Sequence, residues 1–223
     1  MLAALGLGVA SASVTGAAVH EPYERKAAEG LYGLLFCDDP TLFRNALSAE
    51  DGTWGVLFAT PPDIQALQKI AGDEARESRL RALVFKRLRE EGAAVPPKIL
   101  LGVIVEVPFK DGLDTLAAYA DGRVRYLNRS GKVGIFEAGP DEVLALARDL
   151  VDESKGLVAK LGPWDKPRLP PPKPGKVRMS FVVSDGLYFG EGPLDVMQQD
   201  PLGGPVLAKA ALLLQAVVAA STQ

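Results

Sequence analysis

The chain has 223 residues and a formal net charge of −3, with 48% hydrophobic and 24% charged residues. That length supports one large domain or two small ones, with a core that needs no metal or disulfide to staple it. The acidic balance argues against bulk nucleic-acid binding; one cysteine, Cys37, excludes an internal disulfide or Cys-cluster zinc site, and one histidine, His20, excludes a His-rich metal site.

Residues 1–19 carry no charge, and Ala10-Ser11-Ala12 has the form of a cleavage site. The first basic residue is Arg25, so the positive start of a secretory signal is missing. Residues 1–30 therefore read as an apolar arm of a cytoplasmic protein. Export, with residues 1–12 acting as a signal, is the alternative. The stretch is too rich in Ala, Gly and Ser for a membrane span, and no transmembrane span is expected.

LYGLLF (31–36) and TWGVLFA (53–59) are short apolar runs of strand length. Between them, Asp39 and Pro40 open a helix from about Thr41 to Leu47, with Leu42, Phe43 and Leu47 inward. Thr60-Pro61-Pro62-Asp63 leads into a helix carrying Ile64, Leu67 and Ile70 on one face. Residues 74–91 form the most amphipathic helix: Leu80, Leu83, Val84, Phe85 and Leu88 point in, and Arg79, Arg81, Lys86, Arg87 and Arg89 point out. Glu91-Gly92 and Pro96-Pro97 end it.

Residues of about 99–137 read as a four-strand antiparallel meander, ILLGVIVEVPF, LDTLAAYA, RVRYLN and KVGIFE. Asp121-Gly122 and Ser130-Gly131 are taken as two-residue hairpin loops, and Phe109-Lys110-Asp111-Gly112 as a longer one. A helix follows from Gly139-Pro140-Asp141 to about Leu161, with Val143, Leu146, Leu150, Leu157 and Leu161 on its stripe. Residues 162–175 hold six prolines and read as a strap or linker in extended conformation. VRMSFVVSD and GLYFGEG suggest a hairpin turning at Asp185-Gly186. The last helix, from Pro205, is apolar enough to require extensive burial. The fold class is α+β: residues 31–223 form one domain around a central antiparallel sheet, with helices mainly on one face.

With two-residue loops, Arg123, Arg125, Arg129 and Lys132 share one sheet face above Ala118, Ala120 and Gly134. Such a basic face can dock a phosphate, a carboxylate or an acidic partner, because guanidinium forks match those groups. The blander reading is a solvated face whose charges prevent aggregation. Residues 184–193 combine glycines with Asp185, Tyr188, Phe189 and Glu191, a composition suited to close ligand approach or to simple turn packing. Trp164 can anchor the strap, with Asp165 and Arg168 as a local ion pair. Arg168, Pro171 and Pro174 match the spacing of a proline-rich ligand.

Cys37-Asp38-Asp39 could activate a thiolate at a helix start, but the adjacent carboxylates oppose it and no base is placed to help. Two carboxylates alone are also a weak cation site. The function expected is a non-enzymatic binding or adaptor module without cofactor or metal, engaging a protein or a small anionic ligand, with homo-oligomerisation open. The alternative is a hydrolase, cation-dependent or not, in which Asp38, Asp39, Asp185 and Glu191 converge.

Overall fold

The run from 99 to 109 is apolar at nearly every position, so as a strand it needs cover on both faces rather than one. It receives that cover. The computed structural model describes residues 21–44 and 52–221. Strands β1 (Leu100–Phe109), β2 (Gly112–Tyr119), β3 (Val124–Leu127) and β4 (Val133–Phe136) form the expected antiparallel meander. The hairpin of β5 (Lys176–Val183) and β6 (Gly186–Pro193) joins the same sheet beside β1, giving the order β4-β3-β2-β1-β5-β6.

Helices cover both faces, not mainly one. The first face carries α1 (Lys26–Leu35), α2 (Gly52–Phe58), α3 (Ile64–Gly72) and α4 (Ser78–Glu90) against Leu101, Ile104, Ala117, Tyr119 and Leu127. The second carries α5 (Asp141–Val158), α6 (Leu194–Gln199) and α7 (Gly203–Ala220) over Val103, Val105, Leu116, Val124 and Phe181. Large side chains such as Leu67, Leu83 and Phe181 are almost wholly removed from water. Each contributes roughly 1.5–3 kcal/mol of transfer free energy.

The runs 31–36 and 53–59, expected as strands, are helical. A continuous apolar run does not reveal its period, and the period here is helical: Ala28, Tyr32 and Leu35 are the buried positions of α1. α1 also begins inside the stretch assigned to the N-terminal arm, and Tyr23 and Ala28 are core residues. Residues 1–20, on which the export reading falls, lie outside the described residues, as does Leu47. Asp39 caps a 3-10 turn, Pro40–Phe43, by accepting from Thr41 N. There Phe43 is buried and Leu42 is exposed.

α4 buries the expected stripe, but Arg81, expected outside, is buried with Nε donating to Ala71 O at the end of α3. α7 buries Gly203, Val206, Leu207, Ala210, Leu213 and Val217, leaving Leu212 and Val218 about half exposed. By length and composition it is the one described helix able to cross a membrane, and its inner stripe packs on the sheet with α5.

The hairpin loops change the register. Ala118 pairs with Val124 and Leu116 with Tyr126, so the first loop holds Ala120, Asp121 and Gly122. Gly122 sits at φ +93 and its N–H donates to Tyr119 O, a turn closed by a left-handed glycine. Arg129, Ser130 and Gly131 (φ +75) repeat the design, with Gly131 N donating to Asn128 O. The connection expected to be longest has only Lys110 and Asp111 between the paired Phe109 and Gly112. The C-terminal hairpin turns at Ser184-Asp185, one residue before the expected position. A shift of one residue sends every side chain of a strand to the opposite face.

Candidate functional site: the strap and the polar row beneath it

The register places one residue from each of five strands in a line across the first face: Leu127, Thr115, Glu106, Arg178 and Glu191. Four of the five are polar. α1 and the segment before it lie over this row, where Tyr23 Oη donates to Thr115 Oγ1 (2.8 Å) and Tyr32 Oη to Glu106 Oε1 (2.7 Å). Arg178 reaches Glu191 through Nε (3.0 Å) and Nη2, and its Nη1 lies 3.9 Å from Glu106 Oε2.

The strap closes over the row. Arg178 Nη1 donates to the carbonyls of Pro170 (2.8 Å) and Leu169 (3.3 Å). Arg168 pairs with Asp38 at 2.9 Å, and its guanidinium stacks 3.9 Å from the centroid of Phe36. Trp164 pairs through its N–H with Leu187 O (2.8 Å) on the outer edge of β6, and its ring meets Phe189 edge-on at 5.1 Å. An edge strand is thus covered, and the strap is built into the fold by charge and hydrogen bonds as well as by proline stiffness.

Burial dominates the electrostatics here. Loss of water raises the Glu106 carboxyl above its ordinary range, although the Tyr32 hydrogen bond and the Arg178 and Arg168 charges pull the other way. Burial likewise raises Tyr32 and Tyr23. At Glu191 burial also acts upward, but hydrogen bonds from Arg178 and Lys176 outweigh it and hold the carboxyl below its usual value. Burial and the Asp185 carboxylate push Tyr188 up to about 12.

Beside the strap runs a groove of about 520 Å3, walled by Phe36, Trp164 and Leu187; Arg89 and Lys166 reach it, as do the carboxylates of Asp38, Asp165 and Asp185. Arg89 Nη1 donates to Ser184 O, and the Lys166 ammonium lies 5.5 Å from the Trp164 centroid. Neither has a carboxylate within 4 Å among the described residues. No known protein family, curated protein or solved structure matches the chain. The site must therefore be read from its own chemistry.

The basic sheet face does not form. Arg125 is 2% exposed, on the α1 side with Ala117, and is bound to Glu137 and to Val124 O. Arg123 is held by Glu137 (2.6 Å) and Asp121 (2.9 Å), and Arg129 by Asp111 (3.2 Å); Lys132 is exposed beyond the second loop. Trp164, Asp185, Tyr188, Phe189 and Glu191 do gather at the strap end of the sheet. They are not one cluster, however. Tyr188 is turned to the α5–α7 core and donates to Asp185 Oδ2 (2.9 Å), while Phe189 and Glu191 share the strap face.

Arg168 is committed to Asp38 rather than to Asp165, so the proline-rich ligand spacing has its cation turned inward. The carboxylates of the alternative reading are separately engaged: Asp38 by Arg168, Asp39 by Thr41, Asp185 by Tyr188 and Lys98 N, Glu191 by Arg178 and Lys176. Cys37 is buried, its thiol raised by burial, in a left-handed conformation (φ 51). Among the described residues no three His, Cys, Asp or Glu side chains come together as a metal site.

Glu106, Arg178, Tyr32 and Arg89 escaped sequence reasoning. The signal for Glu106 was present, as a lone carboxylate inside an apolar run long enough to be buried on both faces.

Proposed function

We propose that the protein is a non-enzymatic binding module that holds an acidic segment of a partner protein in the groove beside the strap. The observation that carries this reading is a pair of cations beside one aromatic-walled groove, Arg89 held by Ser184 O and Lys166 over Trp164, with no carboxylate within 4 Å of either among the described residues. A guanidinium fixed by a backbone carbonyl and an ammonium held over an aromatic ring are pre-organised for carboxylates, and Trp and Arg are among the side chains that most often anchor interfaces. Binding is supported over hydrolysis because Asp38, Asp39, Asp185 and Glu191 each have an internal partner, and because burial keeps the Cys37 thiol protonated.

Fluorescence anisotropy of a labelled Glu-rich peptide tests the reading. The full chain binds it, a Lys-rich peptide does not bind, and Arg89→Glu with Lys166→Glu weakens the acidic peptide at least about tenfold. Equal binding by the doubly reversed variant would remove the groove from consideration.

A further inference from the structure

A second cleft opens at the other end of α4. It has a volume of about 530 Å3 and lies between α4 and α5 where β1 begins and β2 ends. Arg81, Lys98 and Arg148 line it, and each is held by a backbone carbonyl. Arg81 Nε donates to Ala71 O (2.9 Å), Lys98 Nζ to Ala159 O (2.8 Å) and Leu161 O (3.2 Å), and Arg148 Nη2 to Asp121 O (3.0 Å). A carbonyl fixes a cation in place without cancelling its charge.

No carboxylate lies within 4 Å of these three side chains among the described residues. The acids lining the cleft are mostly occupied. Asp121 accepts from Ser78 N (2.7 Å), Arg123 N (3.0 Å) and Arg123 Nη1 (2.9 Å), and Asp152 pairs with Lys155 (2.6 Å). Of the lining acids Glu74, on the exposed rim, has no such partner among the described residues. Lys98 also stands at φ 59, a left-handed conformation that costs a non-glycine residue free energy and that clusters at ligand sites.

We propose that this cleft binds a phosphate monoester attached to an apolar body. Two guanidinium groups and an ammonium match the charge and the multiple oxygens of a dianionic phosphate better than a single carboxylate. Part of the wall is apolar, formed by Leu100, Ala120, Val151 and Val158, and the volume falls in the range of small-molecule pockets.

Isothermal titration of the full chain with phenyl phosphate, inorganic phosphate and benzoate tests this. Phenyl phosphate binds saturably and more tightly than either other probe. Arg148→Gln and Lys98→Gln each weaken it at least about tenfold. Lys132→Gln, distant on the second hairpin, leaves it unchanged, as does the double reversal of Arg89 and Lys166 in the strap groove. Arg148 is exposed, so its variant keeps the test readable if loss of the Lys98 cap unfolds α5. Absence of saturable phenyl phosphate binding, or binding unaltered by Arg148→Gln, overturns the site. Equal affinity for inorganic and phenyl phosphate overturns the apolar body.

Discussion

Arg178→Met isolates the role of the polar row. The native guanidinium is 5% exposed and serves Glu191, two strap carbonyls and the buried Glu106 carboxyl at once. Methionine fills much of the same volume but supplies no charge or donor, leaving Glu106 with the Tyr32 hydrogen bond and the more distant Arg168 charge. Removing one partner of a buried pair costs about 3–5 kcal/mol when the orphaned group stays charged. Glu106 can escape that penalty by taking up a proton, so the cost depends on pH.

Its folded-state value is already raised above the unfolded one, about 4.3, which means the folded protein keeps this proton where the unfolded chain has lost it. The stability linked to that proton is present below the unfolded value and is lost as pH rises through the folded value. Loss of Arg178 raises the folded value further. Urea unfolding followed by far-UV circular dichroism should therefore show a deficit of about 3–5 kcal/mol at mildly alkaline pH that shrinks steadily toward pH 5. Adding Glu106→Gln should restore most of it and flatten the pH dependence. A deficit under about 1 kcal/mol, or one that ignores pH, refutes the row as an electrostatic unit.

Two further outcomes follow from local geometry. Gly122→Ala places a Cβ at φ +93, 2.9 Å from the Arg148 guanidinium carbon and 3.1 Å from Leu144 O. The variant should lose about 1–2 kcal/mol in the same unfolding assay, and an unchanged midpoint contradicts the left-handed loop. Cys37 is buried and its thiol is raised by burial. Iodoacetamide should leave it unmodified in the folded protein near pH 8 and alkylate it fully in urea, whereas rapid native labelling shows an accessible thiolate.

The meander, the Asp63-capped helix and the amphipathic α4 were legible because their patterns are long and mutually consistent. Of the stripe expected on α5, Val143 and Leu150 are buried, Leu146 and Leu157 are half-buried, and Leu161 lies past the helix end, because the inner face runs instead through Ala147, Val151, Ser154 and Val158. α1 and α2 were not: runs of six or seven apolar residues fit either period, and Tyr32 and Leu57 were placed by tertiary packing. The register error has a sharper cause. Asp-Gly and Ser-Gly can occupy the two central positions of a tight hairpin or the last two of a three-residue loop, and both need glycine in the left-handed region. The choice decides whether Arg125 lies on the α1 face with Ala117 or on the α5–α7 face with Ala118.

The strap shows the same limit at longer range. Its prolines announced an extended segment, but Arg168 pairs with Asp38, and Arg178, besides its hairpin partner Glu191, reaches the strap carbonyls and lies beside Glu106, contacts that no local pattern announces. The site residues nearest in sequence, 184–193, were found by composition alone.

Where Arg125 points decides whether positive charge lies on the sheet or at the strap and its neighbouring cleft. The Tyr119 N–Arg123 O bond makes 119 and 123 a hydrogen-bonded pair, so Ala118–Val124 and Leu116–Tyr126 are the close, non-bonded pairs. Their α-carbons then stand about 4.5 Å apart, close enough for strong Hα–Hα nuclear Overhauser contacts. Nuclear magnetic resonance should show the Leu116–Tyr126 and Ala118–Val124 contacts. Strong Hα–Hα contacts of Ala117 with Tyr126 and of Tyr119 with Val124, the close pairs of the two-residue-loop register, would instead restore that register and move the arginine to the Ala118 face.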